Sequence, residues 1–403
     1  MLALELARLD AAHVTKRTET VIDGFSGRFA LIAKKKYLVF NSNDYLGQRL
    51  SPVLKKAEAV ATATYGTGPG AVRFISGSLR IHRDLEQALA DFHHREAALI
   101  ISSAFAANLA VLTSLVRGSG QETLVNSPVL VVSDALNHRS IVDGIRLAQV
   151  PSEHKAIFRH LDYAHLDEIL KLNRGKFPRA VVVTDGVFSM LGQYADLKTM
   201  RHIVDRHQSA YPEGVLLVVD DCHGIAAFGP TGRGTEEVTG AKADILVGTL
   251  GKGLGTDGGY VVGDRVFIDY LRESAATYIY SNPISPGTAG AALAALAILT
   301  SPVGRQLLNR SRANITRFKK LITKAGFTLA ADSVHPIQPI LIGDPARTQT
   351  LAKDLYNRGF LVTPISYPVV PRGQDELRIQ ISSTHTASDI TSLVKAFSSP
   401  RPR

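Results

Sequence analysis

Cysteine is almost absent from this sequence, whose 403 residues include only Cys222. A single thiol excludes a disulfide within the chain and is typical of a reducing compartment. Long apolar runs are missing as well. The longest, at 289–300, is shorter than the ~18 residues that indicate a membrane span, so we expect a buried helix there. The opening MLALELARLDAAH carries Glu5, Arg8 and Asp10, which favours an amphipathic helix over a secretory signal. We therefore expect a cytoplasmic protein.

Several familiar catalytic motifs are also absent. The sequence has no HExxH, no pair of cysteines and no His/Cys/Asp cluster at metal spacing, so we expect no metal site. It has no GxSxG, which argues against a serine hydrolase. The glycine run YGTGPGA (65–71) lacks the GxGxxG spacing of a dinucleotide site. In GTLGKGLGTDGG (248–259), a P-loop would need glycine at Leu246 and Ser or Thr at Gly253, so that interpretation fails too.

The net charge of +10 is scattered along the chain. The densest basic run is Lys34-Lys35-Lys36, and neither interleaved aromatic residues nor a DNA-binding motif accompanies the basic residues. We therefore expect no nucleic-acid partner and interpret the charge as a solvated basic surface. Attraction of an anionic substrate is the alternative.

Short β-branched runs alternate with longer helix-like stretches between residues 97 and 264. Runs that are apolar throughout indicate strands covered on both faces, as in a mostly parallel sheet between helices. This pattern predicts a doubly wound α/β domain. The predicted strands are 97–103, 128–135, 179–186, 215–221, 243–250 and 258–264.

Polar residues follow every one of these strands except the last. Because ligands bind at the carboxyl ends of the strands in such sheets, we expect a convergent site there. Single residues of this kind, such as Ser102 and Asp134, could do no more than cap a helix. The polar residues that follow the strands are Ser103, His138, Ser189, Asp220, His223, Thr249 and Lys252.

Lys252 lies between Gly251 and Gly253, directly after a predicted strand. Burial at such a place lowers the pKa of the amine and makes the lysine a candidate to form a Schiff base. Its most common carbonyl cofactor is pyridoxal phosphate, whose pyridine nitrogen needs an acid partner. Asp220, at the end of the adjacent predicted strand, could be that acid, and the two small glycines would admit a planar ring.

With these features the sequence resembles the α-oxoamine synthases, which are fold-type I pyridoxal-phosphate enzymes that join an amino acid to an acyl-CoA thioester. The resemblance spans nearly the whole chain. Within the family, SDALNHRS, GTLGK and YPVVPRGQ are most similar to the 2-amino-3-ketobutyrate CoA ligase branch, and 8-amino-7-oxononanoate synthases share the motifs in altered form. The matching segments are NSNDYLG (41–47), VRFISGS (72–78), SDALNHRSIVDG (133–144), TDGVFSM (184–190), DDCHG (220–224), GRGTEE (232–237), GTLGKGLG (248–255), YSNPISP (280–286), YPVVP (367–371) and LRIQISSTHT (377–386).

The resemblance implies a role for each residue around the cofactor ring. Lys252 holds the cofactor and then removes the α-proton of the amino acid. Asp220 pairs with the pyridinium nitrogen, and His138 stacks on the face of the ring. His223 and Ser189 lie around the phenolic oxygen.

The resemblance also implies where the phosphate binds. It is expected at Thr249 and at the turn Ser103-Ala104-Phe105, where backbone N–H groups at a helix start suit an anion. Ser281 and Asn282 are implied to reach the phosphate from the neighbouring subunit of a homodimer, so that each active site is shared.

Two residues are implied to contact the substrates. Arg378 would bind the carboxylate of the amino acid through a bidentate pair, and Asn43 would provide a further contact. Each assignment has a structural alternative: Arg378 could be a surface strand residue, and His138 a helix N-cap or a core histidine. His82 faces either the acyl-CoA channel or the core, and we expect the pair His93-His94 to be solvated helix surface.

The sequence departs from the family pattern at three places. Leu191 stands where many members have an acidic residue, and Thr256-Asp257 replaces smaller, neutral residues. Cys222, where serine, alanine or valine is commoner, is expected to be a packing residue beside Asp220. These departures leave the reaction class unchanged and bear on the choice of substrates.

We predict an N-terminal segment at 1–50, a large cofactor domain at 51–290 and a small α+β domain at 291–403. The resemblance implies that an amino acid, first of all glycine, displaces Lys252, loses its α-proton and attacks the acyl thioester. Coenzyme A leaves, and the β-keto acid is released with or without decarboxylation. One alternative is an 8-amino-7-oxononanoate synthase or a long-chain aminoketone or sphingoid-type synthase, which would use another amino acid or an acyl-carrier-protein donor. The others are an aminotransferase or lyase of the same fold and a non-catalytic subunit.

Overall fold

A seven-stranded sheet forms the centre of the chain in the computed structural model, which describes residues 1–11, 15, 17, 19–118, 122–367 and 369–398. Ala12 and His13 of the predicted first helix and Pro368 of the YPVVP segment lie outside these residues. The strands are β1 (Gly24–Ser26), β2 (Phe29–Ile32), β3 (Lys35–Val39), β4 (Ala97–Ile101), β5 (Val129–Asp134), β6 (Lys155–Phe158), β7 (Arg179–Asp185), β8 (Val215–Asp220), β9 (Ile245–Thr249), β10 (Gly259–Gly263), β11 (Ile337–Leu341), β12 (Phe360–Leu361), β13 (Thr363–Ile365) and β14 (Glu376–Gln380).

Helices flank the central sheet on both faces and cover the two smaller sheets. The first of them confirms the predicted N-terminal helix. The helices are α1 (Leu2–Ala11), α2 (Pro52–Tyr65), α3 (Arg80–His93), α4 (Ala104–Arg117), α5 (Arg139–Leu147), α6 (Tyr163–Leu172), α7 (Leu197–His207), α8 (Thr235–Thr239), α9 (Arg265–Ser274), α10 (Ala276–Ile279), α11 (Pro286–Thr300), α12 (Pro302–Lys324), α13 (Pro345–Asn357) and α14 (Ala387–Ser398).

The central sheet has the strand order β4-β10-β9-β8-β7-β5-β6. Neighbouring strands are parallel except at β10, which is antiparallel to both β4 and β9. Successive residues of a strand point to opposite faces. Accordingly Leu99 and Val181 pack with α4, α5 and α9, whereas Ile100 and Val182 pack with α3, α7 and α11. The predicted doubly wound, mostly parallel α/β fold is confirmed.

The antiparallel strand β10 explains why the last predicted strand is not followed by a polar cluster. Because β10 runs against its neighbours, its carboxyl end at Gly263 pairs with Ala97 and Ile245, the first residues of β4 and β9. That end therefore lies at the edge of the sheet opposite to the ends of the parallel strands.

The apolar run at 289–300 belongs to α11, whose buried residues pack against α2 and α3. The predicted buried helix is thus confirmed. In the described part of the chain no single helix is long and apolar enough to cross a membrane. Only α11 and α12 together pass that test by length and composition, and they are bent by 76° at their junction.

A separate core joins the beginning and the end of the chain. β1, β2, β3 and β12 form one sheet, and β11, β14 and β13 form another. Phe40, which follows β3, packs with Phe318 of α12, Ile379 of β14 and Leu393 of α14. The N-terminal segment is thereby held against the C-terminal part, and the boundaries at 50 and 290 stay predictions.

The histidine pair at the end of α3 corrects one expectation. His93 is buried, and its Nε2 lies 2.9 Å from the Tyr260 hydroxyl, while only His94 is exposed. His93 follows Leu85 and Leu89 at intervals of four residues, so all three fall on the buried face of the helix. Burial lowers the pKa of His93 to about 3.

Candidate active site

The carboxyl ends of the parallel strands surround a cavity of about 240 Å³. Strands β7, β8 and β9 end at its wall, and the first residues of α4 and the N-cap of α5 complete it. The lining residues are Ala104, Phe105, His138, Ser140, Asp185, Val187, Asp220, Cys222, His223, Thr249 and Lys252.

Most of the residues predicted to hold a cofactor meet in this cavity. Ser103 precedes the lining residue Ala104, and Ser189 lies two residues after the lining residue Val187. Asn43 and Arg378 connect to the cavity through hydrogen bonds described below. Ser281 and Asn282 do not line the cavity of this chain. They follow α10, and Asn282 is exposed, so their contribution to a neighbouring subunit stays a prediction.

Asp220 ends β8 and is held from two sides. Its Oδ2 accepts a hydrogen bond from Asn108 Nδ2 at 2.5 Å, and its Oδ1 accepts one from the backbone N–H of Cys222 at 3.0 Å. Asn108 also donates to Ser140 Oγ at 2.8 Å, which fixes the amide between the two. Both oxygens of the Asp220 carboxylate are therefore fixed in place by N–H donors.

Asp185 ends β7 and pairs in register with Asp220 on the neighbouring strand. Register partners on adjacent strands project to the same face, so two buried carboxyl groups stand side by side at the cavity wall. Asp185 Oδ1 accepts one hydrogen bond, from the backbone N–H of His138 at 3.2 Å. Burial and the charge of Asp220 raise the pKa of Asp185 well above its usual range.

Lys252 lies in the loop between β9 and β10, and burial lowers the pKa of its amine, with Asp220 and Asp185 opposing that shift. The two glycines beside Lys252 differ in whether a side chain would fit in their place. A Cβ at Gly251 would have room, whereas one at Gly253 would collide with the backbone of Ala226. Gly253 is therefore required by loop packing, whereas a small side chain at Gly251 would make ordinary van der Waals contacts.

His138 is both a helix cap and a cavity residue. As the N-cap of α5 it accepts the backbone N–H of Ser140 at its Nδ1, which also lies 2.7 Å from Ser140 Oγ. Its ring stands edge-on to Phe105, with 6.4 Å between the centroids. Burial lowers the pKa of His138. His138 therefore combines the N-cap role that was the structural alternative with the predicted position at the cavity.

The start of α4 offers a candidate site for an anion. Ser103 caps this helix by accepting the backbone N–H of Ala106 at 3.1 Å, so the N–H groups of Ala104 and Phe105 remain for a ligand at the cavity wall. A Cβ at Gly259 would collide with Ala104 N, so only glycine lets β10 pass this turn. Thr249 Oγ accepts from Gly251 N and donates to Gly258 O, both at 3.1 Å.

Arg378 is buried on β14, which excludes the surface alternative. Its Nε donates to the carbonyl of Ser189 at 2.7 Å, so the structure ties it to the loop that follows β7. Two residues further along the strand, Gln380 Nε2 donates to Asn43 Oδ1 at 2.5 Å. The strand β14 thus brings both predicted substrate residues to the side of the cavity.

Tyr45 connects this group to the cavity. Its hydroxyl lies 2.7 Å from Nδ1 of His223 and 3.3 Å from Asn43 Oδ1. Nε2 of His335 donates to the backbone carbonyl of His223 at 2.8 Å, so both the ring and the main chain of this histidine are fixed. Burial lowers the pKa of His223 well below its usual range.

The departures from the family pattern are local. Thr256 Oγ donates to Leu250 O at 3.2 Å and Asp257 Oδ1 accepts Gly258 N at 2.8 Å, so both close the loop that carries Lys252. Cys222 lines the cavity and burial raises the pKa of its thiol, in line with the expected packing role. Leu191 is half-buried in the loop after β7.

Of the two roles expected for His82, at the acyl-CoA channel or in the core, the structure supports the one in the core. It is fully buried, and its Nε2 lies 3.0 Å from the carbonyl of Ile284.

Three residues of the site were missed from the sequence. Asp185 belongs to the segment TDGVFSM (184–190), in which only Ser189 was predicted to be a site residue. Asn108 is the one polar residue in the run AFAANLAVL, which is a detectable signal for a buried amide with a specific partner. Tyr45 gives no comparable signal, because its partner His223 is 178 positions away.

Comparison with known proteins adds to this geometry. The model of the family "Aminotransferase class I and II" matches residues 35–397. An 8-amino-7-oxononanoate synthase from Treponema denticola is 36% identical over 376 residues, which cover 93% of this chain and 90% of the relative. The mitochondrial 2-amino-3-ketobutyrate coenzyme A ligase of Homo sapiens is 38% identical over 379 residues, 93% of this chain and 83% of the relative.

Among solved structures, a serine palmitoyltransferase from S. paucimobilis with a bound PLP–myriocin aldimine superimposes with a TM-score of 0.87. It is 27% identical, and the match covers 98% of this chain and 96% of that chain.

Proposed function

Since the chain belongs to the class I and II aminotransferase family and, within it, to the α-oxoamine synthases, we propose that it joins a small amino acid, first of all glycine, to an acyl-CoA thioester with release of coenzyme A. It is an acyltransferase that uses pyridoxal 5′-phosphate. One observation supports the proposal most: a single cavity is lined by an amine of lowered pKa, a doubly hydrogen-bonded carboxylate and the start of a helix.

The residues present fit this cofactor. Asp220 offers a carboxylate held by two N–H donors, the partner that a pyridinium nitrogen needs. The start of α4 offers free N–H groups for a phosphate, and Lys252 offers the amine. When bound, pyridoxal phosphate supplies a carbonyl that condenses with primary amines and a ring that withdraws electrons from the α-carbon of the amino acid.

Lys252 is suited to two tasks in turn. Its lowered pKa increases the fraction of neutral amine at neutral pH, and only the neutral amine can bond to a carbonyl or accept a proton. The carboxylate of Asp220 would pair with the ring nitrogen of the bound cofactor and favour its positive charge. His138 forms one wall of the cavity, where its ring can stack against a planar ligand.

Arg378 and Asn43 would position the amino acid. The Nε–H of Arg378 is held by Ser189, which orients the planar guanidinium and presents its terminal fork to a carboxylate. Burial strengthens such a pair because the local dielectric is low.

The acyl chain and the assembly belong to the same proposal. An acetyl donor follows from the likeness to the 2-amino-3-ketobutyrate ligase, and a longer donor with another amino acid follows from the similar likeness to the 8-amino-7-oxononanoate synthase. A homodimer with shared sites, an acyl-CoA rather than a carrier-protein donor, and a cytoplasmic location stay predictions from the sequence.

Coenzyme A thiol release tests the function. Purified protein loaded with pyridoxal phosphate is given glycine, alanine or serine with acetyl-, pimeloyl- or palmitoyl-CoA. We expect release that requires both substrates, with a maximum at glycine and acetyl-CoA. A maximum at alanine and pimeloyl-CoA would favour the second donor class. If no pair released thiol while the protein transferred amino groups to α-keto acids, the proposed reaction would be wrong.

A further inference from the structure

A tyrosine from the N-terminal part of the chain, Tyr45, contacts a residue that lines the cavity without lining the cavity itself. Tyr45 follows β3 and is fully buried, and its hydroxyl lies 2.7 Å from Nδ1 of His223, which lines the cavity. The edge of the Tyr45 ring also meets the His335 ring, with 5.1 Å between centroids at an angle of 85°. The hydroxyl is thus packed in one orientation against one histidine.

Geometry decides which of the two groups donates the proton. Besides His223, the described residues offer the Tyr45 O–H one other acceptor, Asn43 Oδ1, at the longer distance of 3.3 Å. That oxygen already accepts the Gln380 amide at 2.5 Å. The shorter contact to Nδ1 is therefore the one that receives the phenolic proton. In a neutral imidazole the other nitrogen, Nε2, then carries the hydrogen.

The protonation states agree with this assignment. Burial raises the pKa of Tyr45 and lowers that of His223, so both groups are neutral around pH 7. The hydrogen bond from His335 Nε2 reaches the backbone carbonyl of His223 and therefore fixes only its main chain. The His223 ring is oriented by the Tyr45 hydroxyl.

We propose that Tyr45 is a positioning residue that fixes His223 as the Nε2–H tautomer and so makes it a hydrogen-bond donor to a cofactor oxygen in the cavity. The identity of the acceptor rests on the proposed function. The tautomer itself is a property of the chain and does not depend on the reaction.

The molecule contains a matched control for this contact. Tyr260 on β10 is also fully buried, and its hydroxyl lies 2.9 Å from Nε2 of His93. Neither residue lines the cavity. Tyr260→Phe therefore removes the same kind of hydroxyl from the same kind of pair, away from the site.

The first measurement is the tautomer of His223 in the wild-type protein, free of cofactor. Long-range ¹H–¹⁵N correlation spectra of ¹⁵N-histidine-labelled protein distinguish the two nitrogens, and His223→Gln assigns the signal. We expect the hydrogen on Nε2, and in Tyr45→Phe a change in the His223 signal alone. A hydrogen on Nδ1 in the wild type would overturn the proposal, even if Tyr45→Phe did not fold.

The second measurement is the affinity of cofactor-free protein for pyridoxal phosphate, followed by absorbance. Because one hydrogen bond is misdirected, we expect Tyr45→Phe to bind about threefold to tenfold more weakly, and Tyr260→Phe to bind like the wild type. Equal losses in both variants, or no loss in Tyr45→Phe, would contradict the positioning role. Failure of thiol release with the predicted tautomer present would reject the proposed reaction and leave this inference standing.

Discussion

In two clusters of buried ionisable groups, the surroundings shift the pKa values in opposite senses: one cluster favours the charged form and the other favours the neutral forms. Around Glu86, Arg73 Nη1 lies 3.1 Å from one carboxylate oxygen and Arg272 Nη2 lies 2.9 Å from the other. Burial alone would raise the pKa of Glu86, but the two arginines outweigh it and the pKa is lowered. In the cavity, the pKa of Asp185 is raised and that of Lys252 is lowered, each toward its neutral form.

The difference separates a charge used for folding from groups used for chemistry. Glu86 is compensated within the chain, so its charge is stabilised and both of its oxygens are already paired with arginines. In the cavity, the lowered pKa of Lys252 favours the neutral amine, which is the form that acts as a nucleophile or a proton acceptor. If this distinction is right, changes in the cavity should affect chemistry and leave folding intact, and changes at Glu86 should do the reverse.

Lys252→Ala should produce the largest effect. Without its amine the chain can neither bind the cofactor covalently nor remove the α-proton, so we expect thiol release to fall by about 10⁴-fold or more. The measurement is turnover, together with mass spectrometry after borohydride reduction, which should find no attached cofactor. The cofactor-free variant should unfold at the same temperature as the cofactor-free wild type. The amine that it lacks is desolvated in the folded chain, so we expect its loss to cost no stability. Normal turnover would show that the active lysine lies elsewhere.

Glu86→Gln should destabilise the fold by about 3–5 kcal/mol, because it leaves Arg73 and Arg272 without their counter-charge. The pKa of Glu86 is lowered in the folded chain from an unfolded value near 4.5. Its stabilisation is therefore complete above that pH and is lost as the pH falls through the folded pKa. Denaturant unfolding of cofactor-free protein between about pH 5 and about pH 3 should show this loss in the wild type and not in the variant.

Glu5→Gln is the matched control, since the Glu5–Arg8 pair is exposed and should contribute nothing measurable. A Glu86→Gln protein as stable as this control would mean that the buried cluster is not compensated as described.

The fold was predictable from the sequence where burial leaves a clear pattern. Strands covered on both faces are apolar throughout, and for this reason all of the predicted strands in the central sheet are present. The edge strand β6 was not predicted, because it is short and exposed at Lys155 and Ile157. The reversal of β10 was not predicted either, since an apolar run does not reveal its direction.

The site was predictable where a side chain follows a strand, as with Asp220, Thr249 and Lys252. Contacts made from outside the sheet were not. Tyr45 and Arg378 come from elements far apart in the chain, and only the packed C-terminal strand β14 brings Arg378 to Ser189. His93 was misplaced because its register on α3, rather than its polarity, decides its burial.

The smallest expected effect is at Asp185, and it tests which member of the carboxyl pair carries the proton. Asp220 accepts hydrogen bonds from two N–H donors and Asp185 from one, and burial together with the charge of Asp220 raises the pKa of Asp185, so we expect Asp185 to be the member that holds the proton. Asparagine is neutral and nearly the same shape as the protonated acid. We therefore expect Asp185→Asn to change the affinity for pyridoxal phosphate by no more than about threefold.

Asp220→Asn, which removes a charge-assisted hydrogen bond, should weaken cofactor binding by about tenfold to a hundredfold. The sign of the stability change gives a second readout. Because the folded pKa of Asp185 is raised, stability in the wild type falls as the pH rises from the unfolded pKa toward the folded one, and Asp185→Asn should abolish this fall. If Asp185→Asn impaired binding as much as Asp220→Asn, the proton would not reside on Asp185. The cavity would then hold two charges, as the compensated cluster at Glu86 does.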